Sequence, residues 1–97
     1  MIASFKNQGT EDIFNGVDSK KARSACPQSI WRVAVRKLDQ LNAANILDDL
    51  KVPPKNHLEA LLGERQGQHS IRINDQYRIC FIWGELGAEA VEIVDYH

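Results

Sequence analysis

Cysteine is scarce in this 97-residue chain: Cys26 and Cys80 are too few for a disulfide scaffold, and neither sits among histidines at metal-ligand spacing. No stretch approaches the ~18–20 consecutive apolar residues of a membrane-spanning helix. The opening MIASFKNQGTEDIF lacks the charged start and apolar run of a secretory signal, so a reduced cytoplasm is the expected compartment. Repeats and low-complexity runs are missing as well. The length suits one domain over residues 1–97. A composition of 43% apolar and 26% charged residues is that of a folded chain rather than a disordered one. Basic residues are absent from the end: all twelve Lys and Arg precede Trp83, whereas Glu85, Glu89, Glu92 and Asp95 follow it. The net charge of −1 therefore hides a mildly basic body with an acidic last strand. That asymmetry permits a phosphate-binding surface without demanding one.

What is present reads as strand, helices, then strands. Ile2–Lys6 alternates weakly and suggests a first strand. Thr10–Phe14 suggests a short helix, with Thr10 as N-cap and Glu11 and Asp12 in the favoured first turn. Residues 15–25 are polar, contain Gly16 and three cations, and read as an exposed connection. The main helix is expected from Cys26-Pro27, carrying Ile30, Ala34, Leu38 and Leu41 at helical spacing. Continuing that phase would bury Asn45 and Asp48, so the helix should break around 42–45 before a second short helical segment to about Leu50. Pro53-Pro54 then stops it. Gln68–Ile73, Tyr77–Trp83 and Ala88–Tyr96 alternate as strands. The order indicates an α+β fold, a mainly antiparallel sheet with helices on one face.

Burial sets the hairpin register. A two-residue loop would mix apolar and charged residues on both faces. Taking Asn74-Asp75-Gln76 as a three-residue loop pairs Ile73 with Tyr77, Ile71 with Ile79 and His69 with Phe81 on one nearly apolar face. Arg72 then lies beside Arg78, and Ser70 beside Cys80, on the other. Two guanidinium groups directly opposite cost a few tenths of a kcal/mol up to ~1, so a carboxylate or a bound polyanion must offset them. Arginine's fork suits phosphate oxygens. At the end of the chain Val91, Ile93, Asp95 and His97 share one parity and Glu92, Val94 and Tyr96 the other. Asp95-Tyr96-His97 supplies groups for acid–base work at a scissile phosphate, whereas a terminal histidine is more usually a surface residue.

The run Gly63-Glu64-Arg65-Gln66-Gly67-Gln68-His69-Ser70-Ile71-Arg72-Ile73-Asn74-Asp75-Gln76-Tyr77-Arg78, with the Asp95-Tyr96-His97 ending and the preceding Leu50–Asn56, resembles the HigB toxins of the RelE-like superfamily. The resemblance spans essentially the whole chain. It implies a RelE-like twisted, mainly antiparallel sheet with two to three helices packed on one face. It also implies a ribosome-dependent, metal-independent endoribonuclease that cuts mRNA in the ribosomal A site by 2′-OH attack, with no cofactor. The implied partner is a helix-turn-helix antitoxin of the HigA type, which would reach operator DNA on the toxin's behalf; no membrane is involved. Matched residue by residue, Arg78 corresponds to the arginine of the active-site strand, and Asp95, Tyr96 and His97 to the C-terminal catalytic cluster. His57 stands where some members place another active-site side chain. Arg72 and Arg65 lie in the matched motif as phosphate contacts, and Lys55 is expected beside them.

Under that reading Asp95 or His97 takes the 2′-OH proton, His97 or His57 protonates the leaving oxygen, and Arg78, with Arg72, meets the phosphorane. Tyr96 would stack on a base or orient the nucleophile, yet its parity aims it away from Asp95 and His97. Lys20, Lys21 and Arg23 form either a solvated loop or a grip on ribosomal RNA. Cys80 is expected to be a small core residue. The competing function class is a binding module without catalysis, an antitoxin partner acting as operon co-repressor.

Overall fold

A computed structural model of the chain describes residues 1–96. Three helices come first: α1 (Gln8–Phe14), α2 (Lys20–Ala25) and α3 (Trp31–Ala43). Four strands follow: β1 (Glu59–Ala60), β2 (His69–Arg72), β3 (Tyr77–Gly84) and β4 (Gly87–Asp95). The strands form one antiparallel sheet in the order β1-β2-β3-β4. Its apolar face (Ile71, Ile79, Phe81, Val91, Ile93) packs against Ile13, Ala34, Leu38 and Leu41 in a single core. The fold is α+β with a mainly antiparallel sheet, as the resemblance implied.

The predicted register is observed. Ile71 faces Ile79, His69 faces Phe81, Ser70 faces Cys80 and Arg72 faces Arg78. The three-residue turn holds because the Asn74 Oδ1 accepts from the amides of Gln76 (2.9 Å) and Tyr77 (2.7 Å), a local side-chain turn that asparagine makes readily. Past Cys80 the β3–β4 register shifts by one residue, with Ala90 left-handed at φ 50°. Its amide, turned out of the ladder, donates to the Ser4 Oγ at 2.9 Å.

Three local expectations are corrected. The first segment is not a continuous strand: Ile2 and Phe5 make isolated parallel bridges to Ala88 and Val91, because the bulge interrupts the edge they pair with. Thr10 does not cap α1. Asn7 does, through Oδ1 to the Thr10 amide at 2.9 Å, while the fully buried Thr10 hydroxyl accepts from the Ile93 amide at 3.1 Å. Thr10 thereby takes over the outer edge of β4 where the N-terminal segment leaves it. Residues 15–25 contain α2, capped by the Ser19 Oγ on the Ala22 amide at 3.0 Å, rather than an open connection. A Cβ on Gly9 would strike the Lys21 carbonyl, so glycine is what lets α1 and α2 cross so closely.

The helix break is observed. After α3 ends at Ala43, Asp49 accepts from the amides of Asn45 (2.9 Å) and Ile46 (3.2 Å) and starts a 3₁₀ turn over Leu47–Lys51. A second 3₁₀ turn, Pro54–Asn56, ends in left-handed His57 (φ 45°). Fully buried Asn56 anchors this turn: its Oδ1 accepts from the Lys37 Nζ at 2.6 Å, and its Nδ2 donates to Gln40 and to the Leu50 and Val52 carbonyls. Burial holds the Lys37 ammonium below its ordinary pKa, and Arg36 and Lys55 add to the shift. This polar clasp fixes the backbone leading into His57.

Candidate active site

Strand alternation sends Ser70, Arg72, Arg78, Cys80, Glu92, Val94 and Tyr96 to the sheet face away from the shared core. Arg78 is its centre. Only 9% exposed, it donates from Nε to the Ser70 Oγ at 2.7 Å, and from Nη2 to the His57 carbonyl at 2.6 Å and the Ser70 carbonyl at 3.4 Å. A buried guanidinium needs such acceptors, since a charge without them would be strongly destabilising. The Glu59 Oε2 stands 3.9 Å from Nη2, and the Arg78 Cζ lies 6.0 Å from the centroid of the Tyr96 ring, within cation–π range. Arg72 pairs instead with Asp75 at the exposed tip of the hairpin. The carboxylate that the paired arginines require is thus supplied twice, by Asp75 and by Glu59.

Among the described residues, His57, Glu59, Arg72, Asn74, Asp75, Arg78 and Tyr96 line one open pocket of about 310 Å³. Two acids, two guanidinium groups, an imidazole and a phenol share its wall. That combination can bind a phosphate, stack a base and move protons.

The C-terminal triplet is split by its own alternation. The amide of Tyr96 still donates to the Gln76 carbonyl at 2.7 Å, so the pairing runs past Asp95 and carries the Tyr96 ring to Arg78. Asp95 pairs with Tyr77 on the Ile93 parity, and its Oδ2 accepts from the Gln76 Nε2 at 3.0 Å. Asp95 is not among the residues that line the pocket. His97 lies outside the described residues.

The other expected phosphate contacts disperse. Arg65 lies over the same face of the sheet, but its Nη1 donates to Glu92 at 2.8 Å and Gln68 at 3.1 Å. The Glu92 hydrogen bond pushes its pKa above the ordinary arginine value, opposed by burial. Lys55 is exposed on the turn before His57. Lys20 and Lys21 line a separate cleft between α1 and α2, with Asn7, Gln8 and Gly9, and Arg23 is paired with Asp18 at 2.6 Å. Cys80 is fully buried beneath the open face, and burial raises its thiol pKa. Ser70, Glu59 and Asn74 were assigned no role from the sequence, although Ser70 and Asn74 lie in the matched run and the register already placed Ser70 on the arginine face. Among the described residues, no group of three or more His, Cys, Asp or Glu could hold a metal ion. No described helix is long and apolar enough to cross a membrane.

The family model of RelE-like toxins of the type II toxin–antitoxin system HigB matches residues 3–97. The chain belongs to the HigB-like toxin family. Toxin HigB-1 of Vibrio cholerae is 41% identical to this toxin over 83 residues, covering 86% of this chain and 84% of the relative. An uncharacterized protein of Haemophilus influenzae is 41% identical over 58 residues, 60% of this chain and 57% of its own length. A toxin of a type II system has an antitoxin as its partner. The family match includes the Gly63–Gly67 turn, the paired arginines of β2 and β3, and the last strand.

Proposed function

We propose that this toxin is a ribosome-dependent endoribonuclease that cuts mRNA in the A site, without a metal, by attack of a ribose 2′-OH on the adjacent phosphate. The observation that carries the reading is Arg78: a buried guanidinium, held by Ser70 and the His57 carbonyl, at the wall of a polar pocket it shares with Tyr96 and a second arginine. Such a pre-set cation stabilises charge developing on a phosphorane without reorganising at the moment of reaction. Arg72 adds charge once the phosphate displaces Asp75.

Tyr96 stacks on a nucleobase, as a partly exposed ring beside a cation does in single-strand recognition. His57 and His97 serve proton transfer to the leaving 5′-oxygen. For the 2′-OH proton, Glu59 is the acceptor that lines the pocket, whereas Asp95 stands on the opposite parity at the end of β4 and acts through its hydrogen bond with Gln76. The 2′-OH loses its proton, the O–P bond forms, and the P–O5′ bond breaks with protonation of the leaving oxygen. A cyclic phosphate end remains.

The toxin acts in the cytoplasm, and its antitoxin is of the helix-turn-helix HigA type, which carries it to operator DNA. The test is induced expression without antitoxin, followed by mapping of message 5′ ends. New ends within translated codons are expected, lost in Arg78→Ala and strongly reduced in His97→Ala and Glu59→Gln. Growth arrest without new ends would refute the nuclease. Neither arrest nor new ends would replace it by the co-repressor reading.

A further inference from the structure

Arg78 carries five N–H groups, and three of them are engaged by the protein. Nε–H and one Nη2–H point the same way along the side of the guanidinium, and the second Nη2–H and Nη1 form the fork at its end. Nε donates to the Ser70 Oγ (2.7 Å), and the two Nη2 hydrogens go to the His57 carbonyl (2.6 Å) and the Ser70 carbonyl (3.4 Å). Nη1 makes no hydrogen bond among the described residues, and the nearest carboxylate oxygen, on Glu59, stands at 3.9 Å from Nη2. Ser70 itself is fully buried and sits between β1 and β3, opposite both Glu59 and Cys80, so its hydroxyl is carried by backbone that is paired on both sides.

We propose that Ser70 is a positioning residue: its hydroxyl, together with the His57 carbonyl, fixes Nε and Nη2 of Arg78 and presents the two Nη1 hydrogens to the substrate phosphate. This deepens the function proposed above and rests on it. Without the hydroxyl, the Nε–H loses its acceptor and the guanidinium swings about its last torsions to recover one. The phosphate then meets a mobile cation instead of a preset pair of Nη1 donors.

The test follows 15N-arginine-labelled full-length toxin by NMR, alongside single-turnover cleavage of message on ribosomes with a vacant A site. In the wild type, the Arg78 Nε–H exchanges with water at least tenfold more slowly than that of exposed Arg32. Ser70→Ala removes this protection and lowers the cleavage rate at saturating ribosomes by about 10- to 100-fold, with ribosome affinity unchanged. Ser70→Thr, which keeps the hydroxyl, restores both. Folded Ser70→Ala with protected Nε–H and wild-type cleavage overturns the proposal. Wild-type Nε–H that exchanges as fast as Arg32 overturns it too, and does so even if Ser70→Ala fails to fold. If the wild type cleaves nothing, the nuclease reading falls, and the exchange measurement alone upholds or overturns the role of Ser70.

Discussion

Replacing Arg78 by lysine keeps the charge and removes the fork. The guanidinium makes two short hydrogen bonds at once, to Ser70 and to the His57 carbonyl, from a site only 9% exposed. An ammonium on an unbranched stem offers one nitrogen, which meets one of those acceptors and leaves the other buried and unpaired. A hydrogen bond from a charged donor contributes ~1.5–3 kcal/mol, so Arg78→Lys should cost about 2 kcal/mol of stability, a large share of a ~5–15 kcal/mol total. The same nitrogen can no longer serve the phosphate, and loss of one preorganised donor lowers a rate by ~10²–10³. Urea unfolding followed by the fluorescence of Trp31 and Trp83 reads the first effect, and single-turnover cleavage of ribosome-bound message reads the second. If Arg78→Lys keeps wild-type stability and cleaves within threefold of the wild-type rate, Arg78 supplies charge alone, and a role for its fork is refuted.

Other outcomes follow from the same contacts. Thr10→Val is nearly isosteric and strands the buried Ile93 amide, so it should lower stability by ~1–3 kcal/mol in urea titrations; a neutral result would mean another acceptor serves that edge. Asp75→Asn should leave stability within ~0.5 kcal/mol, because the pair with Arg72 is exposed. It should release that guanidinium to RNA and steepen the salt dependence of single-strand binding by ~0.7 per contact, measured by fluorescence anisotropy. Burial pushes the Cys26 thiol up to about 11 from an ordinary 9.0. The folded state therefore holds a proton that the unfolded state loses between those values, so stability falls as pH rises from about 9 to about 11, by ~2–3 kcal/mol. Cys26→Ser should flatten that part of the alkaline slope in urea unfolding, and parallel slopes would contradict the assignment.

Much of the fold was legible because local rules and burial agreed. The Ile71–Ile79 register followed from demanding one apolar face, and Asn74 supplied the turn that this register needs. The helix break was readable from Asn45 and Asp48 falling where the core should be. Reading failed where a residue answered to a distant partner. Thr10 looks like an N-cap by its neighbours, but Ile93 claims its hydroxyl across 83 positions. The stretch 15–25 looks like a loop by polarity, yet Ser19 caps a helix there and Gly9 lets it pack. Arg65 sits in a motif that suggests phosphate binding, and Glu92, 27 positions on, takes its guanidinium.

For the site, the sequence by itself determined that Arg72 and Arg78 stand side by side on one face and that Asp95 and Tyr96 point opposite ways, because a strand alternates whatever it packs against. Only the tertiary structure decided which of those two joins the arginines, since that depends on how β4 docks on β3; Tyr96 does. It also decided that Arg78 is oriented by a serine hydroxyl and a backbone carbonyl. A carbonyl belongs to every residue and carries no mark in the sequence, so its role at His57 emerges only when the chain brings it 2.6 Å from the guanidinium.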